Sequence, residues 1–126
     1  MVQTDITQLS RECSSWRDNL RNYRTELSQF RSRLQEAVSH PVSKNEMPQV
    51  EHYDNQFDIQ LSNINHLKHS IKEHERVATW EMRHNNGNVS DITWAKHESL
   101  HDQYQSLEHT LQDLKEEFGT FVSRLS

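Results

Sequence analysis

The feature of this sequence that most constrains its fold is a series of apolar residues spaced alternately three and four positions apart. In the first third of the chain, every position that this spacing reaches is apolar or cysteine. These positions are Ile6, Leu9, Cys13, Trp16, Leu20, Tyr23, Leu27, Phe30, Leu34 and Ala37. A heptad seam of this length predicts a long amphipathic helix that packs against other helices.

The same spacing occurs twice more, from Val50 to Glu81 and from His97 to Leu125, with few polar interruptions. The residues between the three series favour helix ends. Pro41 disfavours helical backbone at the residue before it, and the turn-forming residues 85–88 include a glycine. Ser90 has the side chain of a helix N-cap. The sequence therefore predicts helices at about residues 5–39, 46–84 and 90–125.

The start of the second helix has its own sequence signals. Pro48 is tolerated in the first turn of a helix, where the missing N–H would have no intrahelical partner. Asn45, three residues earlier, is a suitable N-cap.

Connections this short place neighbouring helices antiparallel, so we predict an all-α, up-down-up three-helix bundle in a single domain, residues 1–126. One register pairs every seam position, with Ala37 beside Val50 and Val50 beside Phe121. The composition agrees, because only 32% of residues are hydrophobic and the chain has two Gly and two Pro. Long helices with narrow apolar seams suit such a chain better than a β fold or a disordered chain.

Charge and cysteine content exclude several classes of protein. A formal net charge of −5 argues against a nucleic-acid partner. The chain has no apolar stretch long enough to cross a membrane, and its single cysteine excludes a disulfide scaffold. The first residues lack the pattern of a secretory signal. We therefore expect a cytoplasmic protein with no membrane partner.

One predicted layer of the bundle contains residues that bind metal ions. The register brings Cys13, His74 and His97 together, and His101 lies one helical turn from His97. Such a set would hold zinc or another transition metal, with Cys13 as a redox-sensitive ligand. The alternative is a polar layer that fixes the register of the helices without any cofactor. The sequence favours the polar layer, since nine histidines make a chance cluster common and no Cys-x-x-Cys motif supports a metal.

Apolar residues outside the seam collect where the second helix meets the third. They are Val77, Trp80, Met82, Val89, Ile92 and Trp94. Trp80, Met82, Ile92 and Trp94 are the candidate partner-binding residues, for a protein partner or for self-association. The alternative is an apolar plug that closes the end of the bundle together with Val2 and Ile6. Ile59 and Leu61 form a smaller second candidate.

Two further patterns have both a structural and a functional interpretation. Arg17, Arg24 and Arg31 recur every seven residues beside the first seam, which favours ion pairs with the acidic third helix, for example through Glu108. The same stripe would also suit an anionic partner. Gln60 interrupts the second seam, and a ligand cavity beside it is a third, weaker hypothesis.

The layout resembles a spectrin-type repeat: three heptad helices, with Trp16 in the first and Tyr104 near where that family often has a second Trp. The chain also looks like small all-helical bacterial proteins. Neither resemblance implies catalytic residues, and the spectrin likeness implies a scaffold or interaction role. We therefore expect a non-enzymatic module that acts by protein–protein contact or self-association, with metal binding or redox sensing through the Cys/His layer as the alternative.

Overall fold

A computed structural model describes residues 6–39 and 46–125, and these residues form three packed helices with no strand. Helix α1 spans Ile6–Val38, α2 spans Met47–His84 and α3 spans Asp91–Leu125. The all-α three-helix fold is thus confirmed, and each helix end lies within one residue of its predicted position. The predictions that involve Val2, Pro41 and Asn45 fall outside the described residues.

The heptad seams form the core of the bundle. Every predicted seam position of the three helices is buried or half-buried. The buried apolar residues form one continuous cluster, with Leu9, Leu20, Leu27, Ile64, Ile71, Leu100 and Leu111 all 0% exposed. The predicted layers are present too, since Phe30 packs against Phe57 with ring centroids 6.3 Å apart. Tyr53 packs against Phe118 at 5.5 Å.

Aromatic rings fill the end of the bundle where α1 finishes and α2 begins. Phe57 and Phe118 meet edge-on with centroids 4.9 Å apart, and Tyr53 stacks on Phe121 at 5.0 Å. Phe30 completes the group, 5.4 Å from Phe118. Edge-to-face and offset-stacked contacts of this kind add to the free energy gained from burial alone.

The connection between α2 and α3 has the local structure that its sequence predicts. Asn86 and Gly87 adopt positive φ angles of 54° and 84°, and the Gly87 N–H donates to the Met82 carbonyl at 2.8 Å. A left-handed backbone at this position is a common way to end a helix. Ser90 then caps α3, because its Oγ accepts the Thr93 N–H at 3.2 Å.

The arginine stripe of α1 pairs with α2, so the predicted ion pairs with α3 are wrong for two of its members. Arg17 forms an ion pair with Glu75 at 3.0 Å, and Arg31 pairs with Asp54 and Asp58. The arginines lie on the side of α1 that faces its antiparallel neighbour, α2. In an antiparallel pair of helices, residues at the same flanking heptad position of the two helices face each other. Glu108 instead accepts hydrogen bonds from two tyrosine hydroxyls.

Gln60 is buried, and its side-chain oxygen accepts a hydrogen bond from Asn63 at 3.1 Å. Its oxygen is therefore satisfied within α2, and nothing in this contact requires a bound ligand. Among the described residues, no helix has an apolar stretch of the length needed to cross a membrane.

Candidate metal centre

Each of the three helices contributes one residue to a buried cluster of Cys13, His74 and His97. Their ligand atoms all lie within 4.8 Å of one another. His74 Nε2 is 3.1 Å from His97 Nδ1, and Cys13 Sγ is 4.0 Å from the same nitrogen. Zinc bonds of about 2.3 Å to sulfur and 2.0–2.1 Å to nitrogen separate tetrahedral ligands by about 3.3–3.6 Å. The three atoms thus need only small movements to share one ion.

Glu12 determines which nitrogen of His97 faces the cluster. The His97 Nε2–H donates to Glu12 Oε1 at 3.2 Å, and His97 Nδ1 therefore faces Cys13 and His74. A carboxylate behind the second nitrogen is the usual way in which proteins orient a metal-binding histidine. Glu12 is therefore a positioning residue for the cluster.

Burial favours the neutral forms of Cys13 and His74. It raises the pKa of the Cys13 thiol to about 12, and the negative charge of Glu75 adds to the effect. It lowers the pKa of His74 to about 4, with smaller contributions from His97 and Lys96. A protonated, buried thiol is chemically inert, so redox sensing through Cys13 has no support from its environment.

The contacts of the cluster converge on one nitrogen. His74 Nε2 lies 3.1 Å and Cys13 Sγ lies 4.0 Å from His97 Nδ1. The sulfur contact is at the outer limit of a sulfur hydrogen bond. A metal ion bound here would use one lone pair from each of the three groups.

Two tryptophans contact the site. Trp16 stacks on His97 with centroids 4.9 Å apart, and Trp94 meets the same imidazole edge-on at 5.9 Å. His101 also stacks on Trp16, at 5.6 Å, and is not among the clustered ligand atoms. The structure thus brings together three of the four metal ligands proposed from the sequence.

A hollow between α2 and α3 gives access to the cluster. It has a volume of about 380 Å³ and reaches His74, with His69, Glu73 and Lys96 among its lining residues. Ile92 and Val77 form its apolar walls. Hydrated ions would therefore approach His74 from the α2–α3 side.

A second polar group lies two layers further toward the α2–α3 connection. Glu81 accepts hydrogen bonds from the Ser90 N–H at 2.8 Å and from the Thr93 hydroxyl at 2.7 Å. The hydrogen bond from the Ser90 N–H is the largest of the effects that lower the pKa of Glu81. Through these hydrogen bonds, the Glu81 carboxylate links α2 to the start of α3.

The candidate partner-binding residues divide into exposed and half-buried ones. Trp80 is 59% exposed and Ile92 is 83% exposed. Val77, another apolar residue of this region, is 49% exposed. Met82 and Trp94 are half-buried, and Trp94 packs against the core. In the second, smaller candidate, Ile59 is 41% exposed, whereas Leu61 is half-buried and packs on the core.

Comparison of the chain with protein-family models, with curated proteins and with solved structures found no match. The function of the chain therefore has to be argued from its own residues.

Proposed function

We propose that the chain is a non-enzymatic helical bundle that binds a transition-metal ion, with zinc the best fit, through Cys13, His74 and His97. The observation that carries this proposal is the meeting of one ligand from each helix within 4.8 Å. One thiolate and two imidazoles suit zinc better than the hard ions Mg²⁺ and Ca²⁺.

The surroundings of the cluster support binding in preference to catalysis. His74 and His97 are 4% and 6% exposed, which leaves little room for a substrate beside the ion. The fourth ligand of a tetrahedral zinc would come from water or another small donor through the α2–α3 hollow. We also propose the cytoplasm as its compartment, because a reducing environment keeps the Cys13 thiol free to bind.

Metal titration of the chelator-treated protein tests this proposal. We expect one zinc per chain, measured by calorimetry and by metal analysis after gel filtration. Zinc at about 100 times its Kd should raise the free energy of unfolding by about 2.7 kcal/mol. Cys13→Ala and His97→Ala should each remove both effects, since each deletes one ligand.

His109→Ala is the matched control for His97→Ala, because His109 lies on the same helix with its side chain 82% exposed. It should bind zinc as the native chain does. Zinc binding that survives in both Cys13→Ala and His97→Ala would show that the ion is held elsewhere, for example by surface histidines.

A second candidate function is protein–protein contact or self-association, the role expected from the spectrin-like pattern. Specific support comes from Val77, Trp80 and Ile92, which are exposed on adjacent parts of α2 and α3. Large exposed apolar side chains that lie close together are typical of interaction surfaces. Sedimentation and light scattering of the purified chain, with and without zinc, test self-association, and Trp80→Ala should reduce any that is found.

A further inference from the structure

We propose that the outer face of α2 binds an acidic amphipathic helix of another protein. The binding surface is an open hollow of about 680 Å³, called here the basic hollow, whose principal residues are Arg17, Lys72, Arg76, Val77, Trp80 and Arg83. This inference rests on the interaction function proposed above and adds the chemistry of the partner.

The apolar part of the basic hollow is centred on Trp80. This side chain is 59% exposed and stacks on His84, with ring centroids 4.3 Å apart. His84 Nδ1 in turn donates to the Trp80 backbone carbonyl at 2.8 Å, which holds the imidazole beside the indole. Val77, 49% exposed, continues the apolar surface by about one helical turn. An exposed tryptophan beside arginines is the composition found at interface hot spots.

The charge of the basic hollow is opposite to that of the whole chain. Four cationic side chains line it against two carboxylates, Glu73 and Glu75. Both carboxylates are already paired, Glu73 with Arg76 at 2.7 Å and Glu75 with Arg17 at 3.0 Å. In the described part of the chain, Lys72 and Arg83 have no carboxylate within ion-pair distance. A net positive surface therefore lies on a chain of formal charge −5.

The positive charge continues beyond the basic hollow. The pKa of Lys68 is lowered first by burial and then by the charges of Arg21, Arg24, Arg17 and Lys72, of which the last two line the basic hollow. Positive potential of this kind attracts acidic partners and repels basic ones.

Electrostatics also argue against a second copy of the chain as the occupant. A symmetric dimer through this surface would place the cations of one copy against the same cations of the other. Contact with the acidic third helix of another copy would be head-to-tail, and such contacts extend into open chains unless the rotation closes a ring. A helix from a different protein would complement both the charge and the apolar surface. It would cause neither the repulsion of the symmetric dimer nor the open chains of the head-to-tail contact.

Two synthetic amphipathic helices test the inference on the full-length chain. Both have leucines at the i, i+3, i+4 and i+7 positions, and their exposed positions are glutamate in one and lysine in the other. Calorimetry at about 150 mM salt should detect binding of the glutamate helix and none of the lysine helix. Trp80→Ala should weaken binding by about 30-fold, the loss expected at a hot spot.

Charge reversal has a matched control outside the basic hollow. Arg76→Glu combined with Arg83→Glu should abolish binding of the glutamate helix. Arg33→Glu combined with Arg124→Glu, at two exposed positions that do not line the hollow, should leave it within about twofold of the native value. Ile59→Ala is the corresponding control for Trp80→Ala, since Ile59 is also exposed but lies outside the basic hollow. Circular dichroism checks that all the variants remain helical.

Equal binding of the two helices, or binding of the glutamate helix that Trp80→Ala does not change, would overturn the inference. Self-association that Trp80→Ala abolishes would also overturn it, because the surface would then be occupied by a second copy. That last result would still support the proposed interaction function. Failure of the acidic-helix inference can therefore be distinguished from failure of the interaction function.

Discussion

The two ends of this bundle are built on the same heptad seam but from different kinds of side chain. At the aromatic end, Phe30, Phe57 and Phe118 bury rings whose centroids are 4.9–6.3 Å apart. At the polar end, the equivalent seam positions hold Cys13, His74 and His97, followed by the Glu81 group. Burial of rings stabilises the first end, while the second end has polar and ionisable groups where the first has apolar ones. Departures from the apolar rule are where function is expected in a folded chain.

The largest expected effect lies at the aromatic end. Phe57 is 0% exposed and contacts Phe30, Tyr53 and Phe118, so Phe57→Ala should lower the free energy of unfolding by about 3–5 kcal/mol. Urea denaturation measures this, with Ile59→Ala as the control because that side chain is 41% exposed. A loss below about 1 kcal/mol for Phe57→Ala would contradict the assignment of stability to this end.

The second effect is a pH dependence that belongs to the polar end. Burial lowers the pKa of His74 to about 4, while in the unfolded chain its pKa is about 6.5. Between these values the unfolded chain binds a proton that the folded chain does not. The free energy of unfolding should therefore fall as the pH falls from 6.5 to 4, by up to about 3 kcal/mol.

Urea denaturation at several pH values in the presence of a chelator measures this loss, with His74→Gln as the comparison. Glu81, whose pKa is lowered chiefly by the hydrogen bond from the Ser90 N–H, adds an acid-dependent loss in both proteins. The charge of His74 is the smallest contribution to that shift, so most of the difference between the two proteins belongs to His74 itself. Parallel loss of stability in the native chain and in His74→Gln would show that His74 is not responsible.

A third prediction separates binding from stability at the polar end. Replacing both imidazoles with apolar groups, in His74→Leu combined with His97→Leu, should leave stability in chelator within about 1–2 kcal/mol of native or raise it. The same variant should no longer respond to zinc. His52→Leu combined with His66→Leu, two exposed positions on α2, is the control. A loss well above 2 kcal/mol in chelator would show that the hydrogen-bonded layer itself stabilises the bundle.

The smallest effect concerns the cap that starts α3. Ser90→Ala removes the acceptor of the Thr93 N–H and one donor to Glu81, and should lower the free energy of unfolding by about 1 kcal/mol. Ser62→Ala, at an exposed position inside α2, should change it by less than about 0.5 kcal/mol. Equal effects of the two substitutions would show that Ser90 does not act as a cap.

The helices and their layers could be predicted from the sequence because heptad spacing determines which face of each helix is buried. The same register predicts Cys13, His74 and His97 in one layer, where the structure also has them. His101 is not among the clustered ligand atoms, since the step of four residues from His97 moves off the seam to a flanking position, where its ring stacks on Trp16.

Contacts made by flanking side chains were harder to predict. Glu12 lies beside the seam, and its contact with His97 depends on the side-chain conformation of a residue 85 positions away. The predicted ion pairs of the arginine stripe were wrong for a related reason. The negative charge of α3 favoured pairing with α3, whereas the position of these arginines on α1 places them beside α2. Flanking positions beside a metal-binding layer are the place to look for such partners.

The most direct test of the central claim is X-ray absorption at the zinc edge of the zinc-loaded chain. The account predicts one sulfur at about 2.3 Å and two imidazole nitrogens at about 2.0–2.1 Å from the ion. A first shell of nitrogen and oxygen alone, with no sulfur, would place the ion away from Cys13 and contradict the proposed site.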